Sequence, residues 1–118
     1  MGSFGSATAD RLERLDTGSF AGGKLSRGGT WGVAFLAEWC PFCRDFAPRF
    51  ANLANEASVA VGDLTDLESP LWEEFDVEVV PTVVVFREGE PVLRRDGTPG
   101  EGLGERDLVA VRDALAAP

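Results

Sequence analysis

The chain has no histidine, a single lysine (Lys24) and two cysteines (Cys40 and Cys43). Each shortage excludes something. A structural zinc site takes about four Cys or His ligands, so a zinc or iron–sulfur site held by this chain alone fails on ligand count. A metal shared between two chains stays open. A small disulfide-dense scaffold is excluded too; 118 residues at 44% hydrophobic content are enough for one domain with its own core. No run of about 18 apolar residues occurs, so no transmembrane helix is expected. Basic residues are scarce, 11 Lys and Arg against 20 Asp and Glu, for a net charge of −9. Nucleic acids and anionic membranes call for a basic surface, so neither is an expected partner. The acid-rich, lysine-poor balance suits either a high-salt cytoplasm or a genome that favours arginine codons.

The first ten residues, MGSFGSATAD, lack the basic head and apolar segment of a secretory leader. They read as a flexible tail over 1–10, and a cytoplasmic location is the expectation. Met1-Gly2 with Ser6 fits the loose myristoylation pattern, which is frequent by chance.

Apolar periodicity outlines the rest. RLERLD, Arg11–Asp16, suits a short edge strand with Leu12 and Leu15 partly buried. SFAGGKLS from Ser19 reads as a brief helix capped by that serine, with Gly22 and Gly23 weakening it. VAFLA (Val33–Ala37), SVAVGDL from Ser58 and TVVVF (Thr82–Phe86) are nearly continuous apolar runs, as in strands covered on both faces. Glu88-Gly89 then turns the chain into a last strand, Pro91–Arg95. Phe42, Phe46, Phe50 and Leu53 mark one helix face. Leu71, Trp72 and Phe75 mark a shorter helix with Ser69 as cap and Pro70 in its first turn; Leu108, Val111 and Leu115 mark a final one. This alternation predicts an α/β domain: a mixed, partly parallel sheet with helices on both faces and an antiparallel hairpin at the end.

Both cysteines fall where the first long strand gives way to a helix, in AEWCPFCRDFAP (Ala37–Pro48). A disulfide across two intervening residues closes too small a loop to stabilise much. A reaction centre fits better. Free N–H groups at a helix start favour a thiolate at Cys40. Cys43, one turn on, is placed to attack a mixed disulfide formed there. Pro41 is tolerated because its missing N–H would have no intrahelical partner. Cys40 is expected to be the exposed thiol and Cys43 the buried one.

These segments resemble the thioredoxin family, almost end to end. AEWCPFCRDFAP resembles the active-site segment, with Pro48 kinking its helix. VVPTVVVF resembles the cis-proline strand, EGE the following turn and RLDTGSF a first strand running into a first helix. The resemblance implies a thioredoxin-like domain over 11–118 and reduction of protein disulfides. In this reading Cys40 is the nucleophile, Cys43 the resolving thiol, and Pro81 carries a cis peptide. Substrate would meet Trp39, Pro41, Phe42, Val80, Pro81 and Gly97. It also implies a separate electron-donating disulfide reductase, no cofactor, no metal and a monomer. Three departures stand out. Pro-Phe between the cysteines resembles glutaredoxin more than thioredoxin. The family's buried aspartate falls at Ala34, and its lysine partner at Gly62. Proton transfer at Cys43 would then use water or a nearby carboxylate, Glu38 or Asp45 being nearest in the chain. Glutathione-dependent thiol transfer and a non-catalytic binding module are the alternatives.

Overall fold

The computed structural model describes Phe4 and residues 6–117. In chain order the elements are α1 (Ala7–Asp10), β1 (Arg14–Leu15), β2 (Phe20–Ala21), β3 (Lys24–Leu25), β4 (Thr30–Leu36), α2 (Pro41–Ala51), β5 (Val59–Asp63), α3 (Leu71–Glu74), β6 (Thr82–Arg87), β7 (Glu90–Asp96) and α4 (Glu105–Ala116). Five strands form one sheet in the order β1-β5-β4-β6-β7. The central strand, β4, runs parallel to β5 and antiparallel to β6. Its apolar run is buried end to end, since Val33 to Ala37 are all 0% exposed. The β6–β7 hairpin turns at Glu88-Gly89, both with positive φ, 51° and 84°.

The two faces of the sheet are covered differently. On one, α4 closes over β4 so tightly that a Cβ at Gly32 would sit 3.3 Å from a methyl of Leu115. On the other, four phenylalanines interlock. Phe20 and Phe75 lie 5.0 Å apart edge-to-face, Phe35 and Phe75 4.9 Å apart, and Phe86 closes the group 5.9 Å from Phe75. Each such pair adds about 0.5–1.5 kcal/mol beyond its buried area.

The expected helix after Ser19 is absent. The segment is a 3₁₀ turn, Thr17–Ser19, capped by the Asp16 carboxylate on the Gly18 N–H, followed by the antiparallel β2–β3 hairpin. Gly22 and Gly23 carry φ of 58° and 77°, as a two-residue hairpin turn requires of both positions. The glycines that weaken a helix make this turn instead. The hairpin holds Phe20 in the phenylalanine cluster, so it buries that face where a helix was expected.

The expectation of a flexible tail over 1–10 is also corrected where that stretch is described, at Phe4 and residues 6–10. Ser6 caps α1 by accepting the Ala9 N–H, Ala9 is buried and Phe4 is 0% exposed beneath the Arg14 guanidinium. A fully buried aromatic ring ties this segment to the domain, whose described part therefore starts before residue 11. The myristoylation motif lies outside the described residues at Met1 and Gly2. Smaller shifts occur elsewhere. β1 keeps two residues of the predicted six, with Leu15 buried, and β7 extends one residue past Pro91–Arg95 at each end. α3 begins one residue late, with Pro70 at its cap and Ser69 Oγ accepting the Leu71 N–H. Among the described residues no helix is long and apolar enough to cross a membrane.

Gly62 lies opposite Phe35 in the β4–β5 ladder, and a Cβ there would stand 2.5 Å from the ring. Gly62→Ala is therefore expected to cost about 1–3 kcal/mol through overpacking. Urea unfolding should show a much smaller cost in a Phe35→Leu background. Equal costs in both backgrounds would rule out the ring as the cause.

Candidate active site

β4 ends at Leu36, and after a four-residue connection the chain enters α2 with Cys40 as its N-cap. Cys40 Sγ stands where a Ser or Asp oxygen would normally cap, and accepts the Cys43 N–H at 3.3 Å. The Cys40 thiol donates in turn to the Val80 carbonyl at 3.6 Å. That carbonyl is presented by a cis Val80–Pro81 peptide bond. Cys43 lies one turn into α2, where its sulfur accepts the Ala37 N–H at 3.5 Å. Both cysteines are free thiols.

Cys40 is not the exposed thiol that its position in the chain suggests. It is 5% exposed, against 0% for Cys43. The segment leading into β6 passes beside the helix start and lays the Val80 backbone over the sulfur. The order of accessibility is as expected, but it separates a narrow opening from none. Burial pushes the Cys43 thiol well above its ordinary range; the Ala37 N–H opposes this, and Cys40 adds to it.

No carboxylate compensates beneath the thiols. Ala34 is fully buried in β4, with Val61 and Val83 as its ladder partners. Glu38 and Asp45 are both engaged elsewhere. Glu38 is held by Arg14 at 2.6 Å, and Asp45, with its side chain 77% exposed, pairs with Arg49. Among the described residues no three Cys, Asp or Glu side chains are grouped so as to hold a metal ion.

The expected contact residues gather unevenly. Gly97 donates its N–H to the Pro81 carbonyl at 2.9 Å, and a Cβ on it would approach that oxygen to 2.7 Å. This close approach requires glycine and locks the loop after β7 against the cis-proline. Val80, Pro81 and Gly97 are buried, whereas Pro41 is exposed. Phe42 leaves the core face shared by Phe46 and Phe50; it is 39% exposed and packs on Gly102. Trp39 is 53% exposed and stacks on Trp72, 6.5 Å distant at 10°.

A network that the linear sequence does not reveal holds this loop. Trp39 Nε1 donates to the Thr65 carbonyl at 2.9 Å, and the Glu38 N–H donates to Thr65 Oγ1. Thr65 Oγ1 donates to Asp63 Oδ1, and Arg14 bridges Asp63 and Glu38. Burial opposes the Arg14 charge, but the Glu38 and Asp63 carboxylates outweigh it and the guanidinium pKa is raised. The partners are 24 and 49 residues from Arg14, so no local pattern points to them. The Asp-Leu-Thr spacing of a side-chain turn at Asp63 and Thr65 was the one available signal.

The family model described as Thioredoxin matches residues 23–106. The chain belongs to the thioredoxin family. It is 35% identical over 77 residues to thioredoxin H5 of Arabidopsis thaliana, a match covering 63% of this chain and 64% of that protein. It is 36% identical over 80 residues to the bifunctional thioredoxin reductase/thioredoxin of Mycobacterium leprae, covering 64% of this chain and 17% of the other. The chain thus spans less than two thirds of either relative. The structure of a point mutant of the thioredoxin from Halobacterium salinarum superposes with a TM-score of 0.65 at 26% identity, covering 94% of this chain and 93% of that one.

Two outcomes follow. Arg14→Met should lower stability by about 1–2 kcal/mol, as the Glu38 and Asp63 carboxylates lose a charged partner at a partly exposed site. It should also redshift and quench Trp39 emission as the Thr65 anchor loosens; unchanged fluorescence would detach Arg14 from the loop. The second concerns pH. Above about 8.5 the unfolded Cys43 thiol loses its proton while the folded one keeps it. The unfolded state then binds fewer protons, so stability falls as pH rises, by about 1.4 kcal/mol per unit. Urea unfolding of the reduced protein between about pH 8 and 10.5 should show this fall, and Cys43→Ala should be free of it. Parallel curves would mean that Cys43 ionises as readily folded as unfolded.

Proposed function

We propose that the chain is a dithiol–disulfide oxidoreductase that reduces protein disulfides. One observation carries this reading: two free thiols at one helix start, the outer sulfur resting between the Cys43 N–H and the Val80 carbonyl. Membership of the thioredoxin family supports it.

The Cys40 thiolate attacks one substrate sulfur, forming a mixed disulfide and releasing the other substrate sulfur as a thiolate. The Cys43 N–H stabilises the attacking sulfur. Cys43 then gives up its proton and attacks Cys40 Sγ, releasing the second substrate thiolate. The substrate gains two electrons and two protons, and Cys40 and Cys43 are left as a disulfide. A separate dithiol reductase returns the electrons; the fusion of a reductase to a thioredoxin in the Mycobacterium leprae relative's name favours such a partner. The cis-proline edge offers the Val80 backbone to an extended substrate, with Pro41, Phe42 and Trp39 as the exposed apolar rim. The reading places the chain in the cytoplasm, where a reducing pool keeps both thiols reduced.

Cys43→Ser should accumulate a mixed disulfide with a substrate protein, resolvable on a non-reducing gel, whereas Cys40→Ser should form none. The reverse pattern would exchange the two roles. Resolution should be the step that Ala34 slows. Cys43 must ionise from a buried site with no carboxylate beside it, so release of the mixed disulfide should rise about tenfold per pH unit from about pH 7 to 9. Ala34→Asp supplies a base and should raise the rate at neutral pH and flatten that slope. An unaltered slope would show that the proton leaves by another route.

A further inference from the structure

The exposed rim beside the thiols extends past Trp39 to Trp72, a residue the chemistry above does not use. Trp39 and Trp72 form a stacked pair, and both indole N–H groups are already satisfied, by the consecutive carbonyls of Thr65 and Asp66 at 2.9 and 3.1 Å. What the pair offers outward is ring surface, on a side chain that is 53% exposed at Trp39; Leu67, which follows Asp66 in the loop, is 73% exposed. Ring faces carry negative electrostatic potential, so they take an apolar group or a cation.

The charge around the pair decides between these. Between Arg49 and Arg87 the chain carries eight carboxylates and no basic side chain. Asp66, Glu68 and Glu73 lie on the loop and helix that carry Trp72, all three exposed. Among the described residues no ion pair reaches any of them. The Asp66 carboxylate accepts the Glu68 N–H at 2.9 Å, which fixes the shape of the loop without neutralising its charge. Three exposed carboxylates on the segment that carries Trp72, whose ring stacks on the neighbour of Cys40 in the chain, are complementary to a cationic side chain on the docked polypeptide.

We propose that this surface makes the protein select disulfides flanked by arginine or lysine, with the cation over the Trp39–Trp72 pair and within reach of Asp66, Glu68 and Glu73. The proposal rests on the oxidoreductase reading and names its substrate class. Arginine suits the site better than lysine, because a planar guanidinium stacks on an indole while donating sideways to carboxylates. The rest of the surface adds steering, since a net charge of −9 draws basic partners and repels acidic ones at low ionic strength.

The test uses the reduced full chain in single turnover, so that its own two thiols supply the two electrons. Three disulfide peptides share one core and differ only in their flanks, which carry Arg, Gln or Glu. The Arg peptide should be reduced about tenfold faster than the Glu peptide at low salt, and the gap should shrink to about twofold at about 0.5 M salt. The variant Asp66→Asn/Glu68→Gln/Glu73→Gln should bring the Arg rate down toward the Gln rate, and Trp72→Leu should lower the Arg rate in the same direction. Equal rates for the three peptides, or an Arg preference that survives the triple substitution, would overturn the proposal. A chain that reduces none of them loses the oxidoreductase reading as well; one that reduces all three alike loses only this one.

Discussion

The capping of α2 by a sulfur is the constraint around which the site is built. A helix start leaves N–H groups without partners, and here Cys40 Sγ takes the one from Cys43. The same atom faces the carbonyl of Val80, 40 residues away in the chain. Only the antiparallel pairing of β4 with β6 brings these two points together, because Phe35 stands opposite Thr82 and the cis-proline precedes that threonine. Gly97 completes the arrangement by letting the loop after β7 reach the Pro81 carbonyl. The thiol, the helix start and the cis-proline edge are thus brought together by one strand register.

Environment gives two chemically identical side chains different work. Cys40 keeps a narrow opening, while Cys43 is sealed and holds its proton tightly because charge is costly there. Where a buried acid could have helped, Ala34 and its ladder partners Val61 and Val83 keep the space apolar, while Gly62 lies under the Phe35 ring on the opposite face of the sheet. The site's carboxylates lie further out. Glu38 and Asp63 are tied to Arg14, and the Asp63 carboxylate also holds Thr65. The network stiffens the rim of the site and leaves its floor uncharged.

The acidic surface and the aromatic core divide the molecule in a related way. Phe20 enters the core from a β-hairpin, and its partners Phe35, Phe75 and Phe86 come from three other segments. What matters for covering a sheet face is apolar area and fit, so a hairpin serves where a helix was expected. The acidic stretch between Arg49 and Arg87 meanwhile supplies both a buried strand and the exposed loop bearing Trp72.

By itself the sequence determined the strands β4, β5 and β6, the helices α2 and α4, and the two cysteines at a strand-to-helix junction. Those features rest on local periodicity and on helix-end chemistry, which need no distant partner. The segment after Ser19 is ambiguous in the linear sequence, because Gly-Gly weakens a helix and makes a hairpin turn alike, and only Phe20's place in the core chooses between them. Phe4 looks like part of a tail in the linear sequence because nothing near it shows the Arg14 side chain it packs under. Trp72, Thr65 and Arg14 were invisible as site residues for the same reason, since their roles are contacts between distant parts of the chain, 24 to 49 residues apart for Arg14. The sequence ordered the two thiols by accessibility but left the outer one too open. How far each sulfur is closed off depends on how the strands pair, and that is decided only when the sheet is assembled.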